Sequence, residues 1–229
     1  ERAVASPQSF NYRNHVRYSV APPESPGEAP AVGFLARGSH AIVDQEQIGC
    51  LIASPVADQV RTLFRSWIQE RGHELRGPAE GFPHAIQVRN SETTGEVLIL
   101  LHLGQDDPDP LWTALADHLI RELHPSRLVG FLLKQEWGRG RGRRSKLTVL
   151  RGRDYYLEQV GAYRCPVHAE AFFQVNTAQA AQIGRTLLEW STELPTAAKV
   201  WDIYGGTGTL GLGFAEAGQE VTVVERSRD

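Results

Sequence analysis

The chain has 229 residues, 41% hydrophobic and 22% charged, with a formal net charge of −3, the composition of an ordinary globular protein with one large or two modest domains. No apolar run reaches the ~18 residues of a membrane span, and nothing near the start resembles a secretory signal. Two cysteines, Cys50 and Cys165, are too few for a disulfide scaffold and fit a reducing compartment, so a cytoplasmic protein with no membrane partner is expected.

Residues 9–20 alternate in character, which predicts a half-buried strand. Phe10, Tyr12, Val16, Tyr18 and Val20 share one face; Asn11, Arg13, His15 and Arg17 share the other. With no acid among them, Arg13 and Arg17 suit an anionic partner, although a solvated basic face is the plainer reading. The proline-rich stretch 21–30 is a loop, and short strands follow at 31–37 and 41–43. Ser54-Pro55 opens a helix, with Ser as the cap and Pro in the first turn. Val56, Val60, Leu63, Phe64, Trp67 and Ile68 continue it at helical spacing, and Gly72 ends it. Strands at 84–90 and 96–103 read as a hairpin about Ser91–Gly95.

Asp109-Pro110 announces a second helix carrying Leu111, Leu115, Leu119 and Leu123. Strands near 127–135 and 146–151 flank a basic segment. From Lys134 to Arg153 there are eight Lys/Arg and one Glu, so the remainder of the chain is strongly acidic. At its centre, arginines including Arg141 and Arg143 alternate with glycine, a flexible pattern able to track a phosphate backbone. A solvated hairpin tip is the alternative. A third helix spans about Thr177 to Trp190, followed by a strand at 199–203. Residues 1–167 therefore read as an α+β domain, and 168–229 as the start of a Rossmann-like α/β domain.

The strongest motif lies in that second part. An apolar strand ending Val200-Trp-Asp-Ile-Tyr runs into Gly-Gly-Thr-Gly-Thr209, a helix follows, and a second strand ends on Glu225. Gly206, Gly208 and Gly211 match G-x-G-x-x-G, and an acid about 20 residues on is placed to meet a ribose. Both nicotinamide dinucleotides and S-adenosylmethionine use such a unit. Asp202 favours the second, because a carboxylate there repels a pyrophosphate but attracts a sulfonium or ammonium group; a structural hydrogen bond to the loop is also compatible with it. A doubly wound sheet needs more than two strands, and the chain starts at Glu1 and contains no Met, so an excerpt of a longer protein is expected.

Taken together, Gly152-Arg-Asp-Tyr-Tyr, Phe172-Phe-Gln-Val-Asn176 and Asp202-Ile-Tyr-Gly-Gly-Thr-Gly-Thr209 resemble the RNA uracil-C5 methyltransferases. These enzymes make 5-methyluridine in ribosomal or transfer RNA. The Asn11-Tyr-Arg-Asn-His-Val-Arg-Tyr stretch and the Ile42-Val-Asp to Cys50 stretch look similar too, so the resemblance covers nearly the whole chain. It implies S-adenosylmethionine as cofactor, with Gln174, Tyr204 and Glu225 at matching contact positions and Thr209 as a polar loop contact. Gly205 departs from the pattern, since relatives often carry Cys there.

Cys50 matches the last of four cysteines that hold an iron–sulfur cluster in many members, the other three being expected before Glu1, so the cluster would belong to the complete protein; a small buried side chain is the alternative, and Cys165 is expected in the core. The nucleophilic cysteine, which must add to carbon 6 of uracil before carbon 5 can accept a methyl group, lies downstream of the glycine loop in the family. Neither cysteine here matches it, so no catalytic residue is assigned, and the chain alone is expected to be inactive. The resemblance implies an RNA partner, ribosomal RNA ahead of transfer RNA. Because adjacent aromatics usually bury at least one ring, one of Phe172 and Phe173 is expected in the core and the other, assigned to Phe172, beside the nucleic acid. A monomer is expected. The competing readings are a nicotinamide-dependent oxidoreductase and a non-catalytic RNA-binding module.

Overall fold

The computed structural model describes residues 3–25, 28–44, 49–75, 82–104, 110–124, 126–138, 142, 144–192, 194–195 and 198–226. Its strands are β1 (His15–Ala21), β2 (Ala31–Leu35), β3 (Ile42–Asp44), β4 (Ala85–Asn90), β5 (Glu96–Leu103), β6 (Arg127–Trp137), β7 (Arg144–Gly152), β8 (Tyr155–Val160), β9 (Tyr163–His168), β10 (Lys199–Ile203) and β11 (Glu220–Val224). The helices are α1 (Pro55–Arg71), α2 (Leu111–Glu122), α3 (Thr177–Ser191) and α4 (Thr209–Glu216).

Seven strands form one sheet in the order β3-β2-β1-β4-β5-β6-β7. Every neighbouring pair is antiparallel except β5 and β6, which run parallel because α2 crosses over between them. All eight residues of β5 are buried, as expected of a central strand covered on both faces. On one face Val16, Tyr18, Ile86, Ile99, Leu101 and Leu133 pack against Val60, Phe64 and Ile68 of α1 and Trp112 and Leu115 of α2. On the other, Leu98, Leu100 and Leu132 meet Tyr156, Val160, Val167 and Phe173.

Local signals explain where α1 begins. The Ser54 hydroxyl accepts from the Ala57 N–H, Pro55 occupies the first turn, and the same hydroxyl donates to Asn90 Oδ1 at 2.6 Å. For α2 the structure shows no side-chain cap at Pro110; Asp109 lies outside the described residues.

Two expectations change. The strand predicted over 9–20 starts only at His15, and Phe10 is exposed. Asn11 takes a left-handed φ of 57°, and the Asn11 and Arg13 N–H groups donate to Leu51 and Ile52 carbonyls. This segment therefore pairs with the approach to α1 instead of prolonging β1. The β8–β9 hairpin, which lies between the strand expected at 146–151 and the helix expected from Thr177, is the second change. Glu158 shares the inward face of β8 with Tyr156 and Val160, and a carboxylate in that row hides the hydrophobic alternation.

The last unit is a two-stranded parallel sheet, β10 beside β11, with α4 as the crossover. Gly213 lets α4 approach α3, since a Cβ there would sit 2.8 Å from Leu188 Cδ1. Among the described residues no helix is long and apolar enough to cross a membrane.

Candidate functional site

The glycine loop is folded back on the end of β11. Tyr204 and Gly205 donate backbone N–H groups to the Val224 carbonyl at 2.8 and 3.2 Å, and the Gly206 N–H donates to Glu225 Oε2 at 2.9 Å. Tyr204, Gly206 and Gly208 all have positive φ, at 63°, 56° and 72°. Glycine supports that conformation without strain at the last two positions. Tyr204 adopts it at a cost and is 85% exposed. A non-glycine residue in the left-handed region is a recurrent mark of a functional turn.

Asp202 lies under the loop. A Cβ on Gly205 would fall 2.9 Å from its carboxylate, and one on Gly211 would fall 3.3 Å from Asp202 Oδ2. That oxygen is buried and, among the described residues, has no hydrogen-bond partner. An ionised carboxylate in this position needs a donor or a positive group nearby. Gly205 is thus required for space, not for its φ.

The F-F-Q-V-N segment reaches the loop from the other side. A Cβ on Gly206 would come within 3.4 Å of the Phe172 carbonyl oxygen. Phe173 is buried under the hairpin while Phe172 is 69% exposed, so one ring anchors the segment and the other faces outward. Gln174 is exposed. Its carbonyl accepts from Asn14 Nδ2 at 3.0 Å, and the Asn14 N–H donates to the Val175 carbonyl at 3.0 Å. Asn14 Nδ2 also donates to Thr177 Oγ1 at 2.8 Å, and Thr177 donates to Glu158 Oε2. Glu158 in turn accepts from Ser91 Oγ at 2.6 Å. Burial raises the Glu158 pKa above the ordinary carboxylate value, and these donors partly offset the shift.

This relay joins the residue just ahead of β1 to β8, α3 and the β4–β5 turn, and it sets where the Gln174 backbone stands. Sequence reasoning passed over it. The available signal was that Asn14 falls in phase with Val16, Tyr18 and Val20, a polar residue in an apolar row.

Thr209 begins α4 and lines a cavity of about 260 Å³ with Tyr163, Gly184, Leu188 and Gly213, on the side facing α3 and the hairpin. Of the basic residues, Arg13 is half-buried and its Nε donates to the His15 carbonyl at 3.0 Å. Arg17 is exposed, but β6, three places away in the sheet, brings it an acid, Glu136 Oε2 at 3.9 Å. No acid stands on the polar face of residues 11–17 itself; this one comes from another strand. Arg141 and Arg143 lie outside the described residues, in the β6–β7 connection.

The two cysteines stand on opposite faces of the large sheet, Cys50 against the α1 core and Cys165 in the hairpin core. Burial pushes the Cys165 thiol up to about 11, which suits an inert core thiol. The Cys50 N–H donates to Asp58 Oδ2 at 3.1 Å. Of the four thiolates that an iron–sulfur cluster takes, this chain can therefore supply Cys50 alone.

No family model matches the chain. It is 32% identical to an uncharacterized RNA methyltransferase of Thermosynechococcus vestitus over 97% of this chain and 48% of the relative. It is 27% identical to one of Clostridium tetani over 98% of this chain and 48% of the relative. With the tRNA (uracil-54, C5)-methyltransferase of Pyrococcus furiosus it shares 24% identity over 95% of this chain and 48% of that protein. The crystal structure of the Pyrococcus abyssi tRNA (uracil-54, C5)-methyltransferase, in complex with S-adenosyl-L-homocysteine, has the same fold. The TM-score is 0.68 at 19% identity, over 97% of this chain and 51% of that one. The chain spans about half the length of the curated relatives it matches, and over nearly all of its own length it is similar to RNA methyltransferases, one of them a tRNA uracil-C5 enzyme.

Proposed function

We propose that this chain supplies the RNA-facing α+β domain, residues 1–167, and the first part of the Rossmann-like domain, residues 168–229, of an S-adenosylmethionine-dependent RNA uracil-C5 methyltransferase. The observation that carries this reading is the meeting of three elements at one loop. Glu225 accepts from the Gly206 N–H, Phe172 approaches Gly206, and the Asp202 carboxylate lies beneath. Bound there, S-adenosylmethionine would supply an electrophilic methyl group on its sulfonium. Gly206 and Gly208 leave the backbone open to close approach. Glu225 keeps acceptor capacity for ribose hydroxyls beyond its bond to the loop, since a carboxylate can accept about four hydrogen bonds. Asp202 favours the cationic end of the ligand, and Gln174 and Tyr204 are the exposed contacts beside it.

A pyrophosphate would meet Asp202 unfavourably, which weighs against a nicotinamide dinucleotide. Trp201, Ile203 and Val224 of β10 and β11 are 64%, 60% and 43% exposed, apolar surface of the kind that further strands cover. We infer that the longer protein covers it and carries the nucleophilic cysteine. RNA is the substrate class; ribosomal RNA is favoured from the sequence, while one relative is named a tRNA enzyme.

Two assays on the longer protein test the reading. Equilibrium titration should show S-adenosylmethionine binding and no comparable NAD binding. Methyl transfer to ribosomal and transfer RNA transcripts should yield 5-methyluridine. NAD binding alone, or RNA binding with no methyl transfer, would reject it.

A further inference from the structure

The sheet face turned away from α1 and α2 is covered by the hairpin only in part. Past Leu98, Leu100 and Leu132 the same face becomes polar, with Arg17 on β1, Gln87 on β4, His102 on β5, and Lys134 and Glu136 on β6. His84 sits just ahead of β4. Three of these side chains converge. Glu136 Oε2 lies 3.5 Å from His102 Nδ1 and 3.6 Å from His84 Nε2, and the three donor atoms lie within 4.8 Å of one another. His102 is 1% exposed, and the Glu136 and His84 side chains are 10% and 48% exposed.

The orientation of His102 is informative. Its Nε2 is 3.1 Å from Gln87 Oε1. A neutral ring that donates Nε2–H to this amide oxygen turns its Nδ1 lone pair toward Glu136. In that tautomer the Nδ1 lone pair and the Glu136 carboxylate are directed to one place, 3.5 Å apart, where both can bind a single cation. A histidine whose second nitrogen donates to an oxygen acceptor is also the usual way a metal-ligating imidazole is held in its tautomer. Bonds of about 2.0–2.2 Å around a tetrahedral ion imply ligand atoms roughly 3.3–3.6 Å apart, which is the spacing found for two of the three pairs. The third closes by a small rotation of half-exposed His84.

We propose that His84, His102 and Glu136 form a binding site for a divalent transition metal of the zinc class, with its fourth position open to solvent beside His84. Imidazole and carboxylate donors are suited to that ion. Two cations border the site. Lys134 Nζ is 3.8 Å from Glu136 Oε1 but is held by Glu170 at 2.6 Å. Arg17 Nη2 lies 3.5 Å from His84 Nε2 and 3.9 Å from Glu136 Oε2. Its side chain is 44% exposed, and it is the group that moves outward when the ion enters. Arg17 therefore weakens the site, and removing its charge should tighten it.

The test uses purified protein stripped with a chelator and titrated with Zn²⁺ against a chromophoric competitor, with Co²⁺ as a spectroscopic probe. One ion per chain and a Co²⁺ absorption band of tetrahedral intensity are expected. His84→Ala, at a half-exposed position, should fold and lose at least tenfold in affinity, as should Glu136→Gln. Arg17→Gln should gain several-fold, and His124→Ala, on a distant exposed histidine, should change nothing. Absence of stoichiometric binding, or binding undiminished in His84→Ala, overturns the proposal. So would Arg17→Gln that binds no tighter and is only less stable, since the cluster would then be an ion-pair network in which Arg17 is the native cation.

Discussion

At single positions, the loop geometry yields sharp expectations. Glu225→Ala removes both the carboxylate and the acceptor of the Gly206 N–H. S-adenosylmethionine affinity should fall at least tenfold, equivalent to about 1.4 kcal/mol, with the melting temperature nearly unchanged because Glu225 is exposed. Calorimetric titration beside a thermal melt would separate the two effects. Gly205→Ala is the reverse case. Its new methyl would lie 2.6 Å from Val223 Cγ1 and 2.9 Å from the Asp202 carboxylate, so stability should drop by about 1–3 kcal/mol through overpacking. A stable Gly205→Ala protein with unchanged cofactor affinity would contradict the packing described for Asp202. Asn14 shows what one-dimensional reading misses: its phase marked it as inward, but nothing in the sequence pointed to Gln174, 160 positions away.

For whole elements, legibility tracked how local the cause was. Helix α1 was readable because its cap, its proline and its apolar stripe all lie within one stretch of chain. Ser54→Ala should cost about 1 kcal/mol or more, measured by urea denaturation, because it removes the cap and also strands Asn90 Oδ1. Strand β8 was not readable because Glu158 interrupts its inward row, and that carboxylate is tolerated only through donors from Ser91 and Thr177. Glu96 works similarly, binding Arg127, Arg153 and the Leu157 N–H at 3.2, 2.5 and 2.7 Å. Through it the start of β5 holds the hairpin in place, and the hairpin holds the segment that carries Phe172 and Gln174.

Over the whole molecule, burial of charged and titratable groups makes stability depend on pH. Burial, with Arg89 and Arg13 nearby, lowers the His15 pKa from 6.5 to about 4, against a smaller opposing bond from Gln87. The unfolded chain therefore takes up a proton near pH 6.5 that the native protein refuses until about pH 4. Stability should fall as pH drops through that window. Glu158, with its raised pKa, acts in the opposite sense toward the acid end. Denaturant midpoints measured between pH 7 and 4 in chelator should decline, and His15→Gln should flatten the decline. An unchanged slope in that variant would remove His15 as the cause.

Length, spacing and local chemistry by themselves determined most of the helices and strands, the glycine loop with its acid, and the family likeness, because each of these is written in residues close together along the chain. Tertiary structure alone decided that β5 and β6 run parallel at the centre of the large sheet, that Asn14 holds Gln174, and that Arg17 meets Glu136. It also decided that His84, His102 and Glu136 converge. These contacts join strands distant in sequence, and pairing register, not composition, sets which side chains face one another across a sheet.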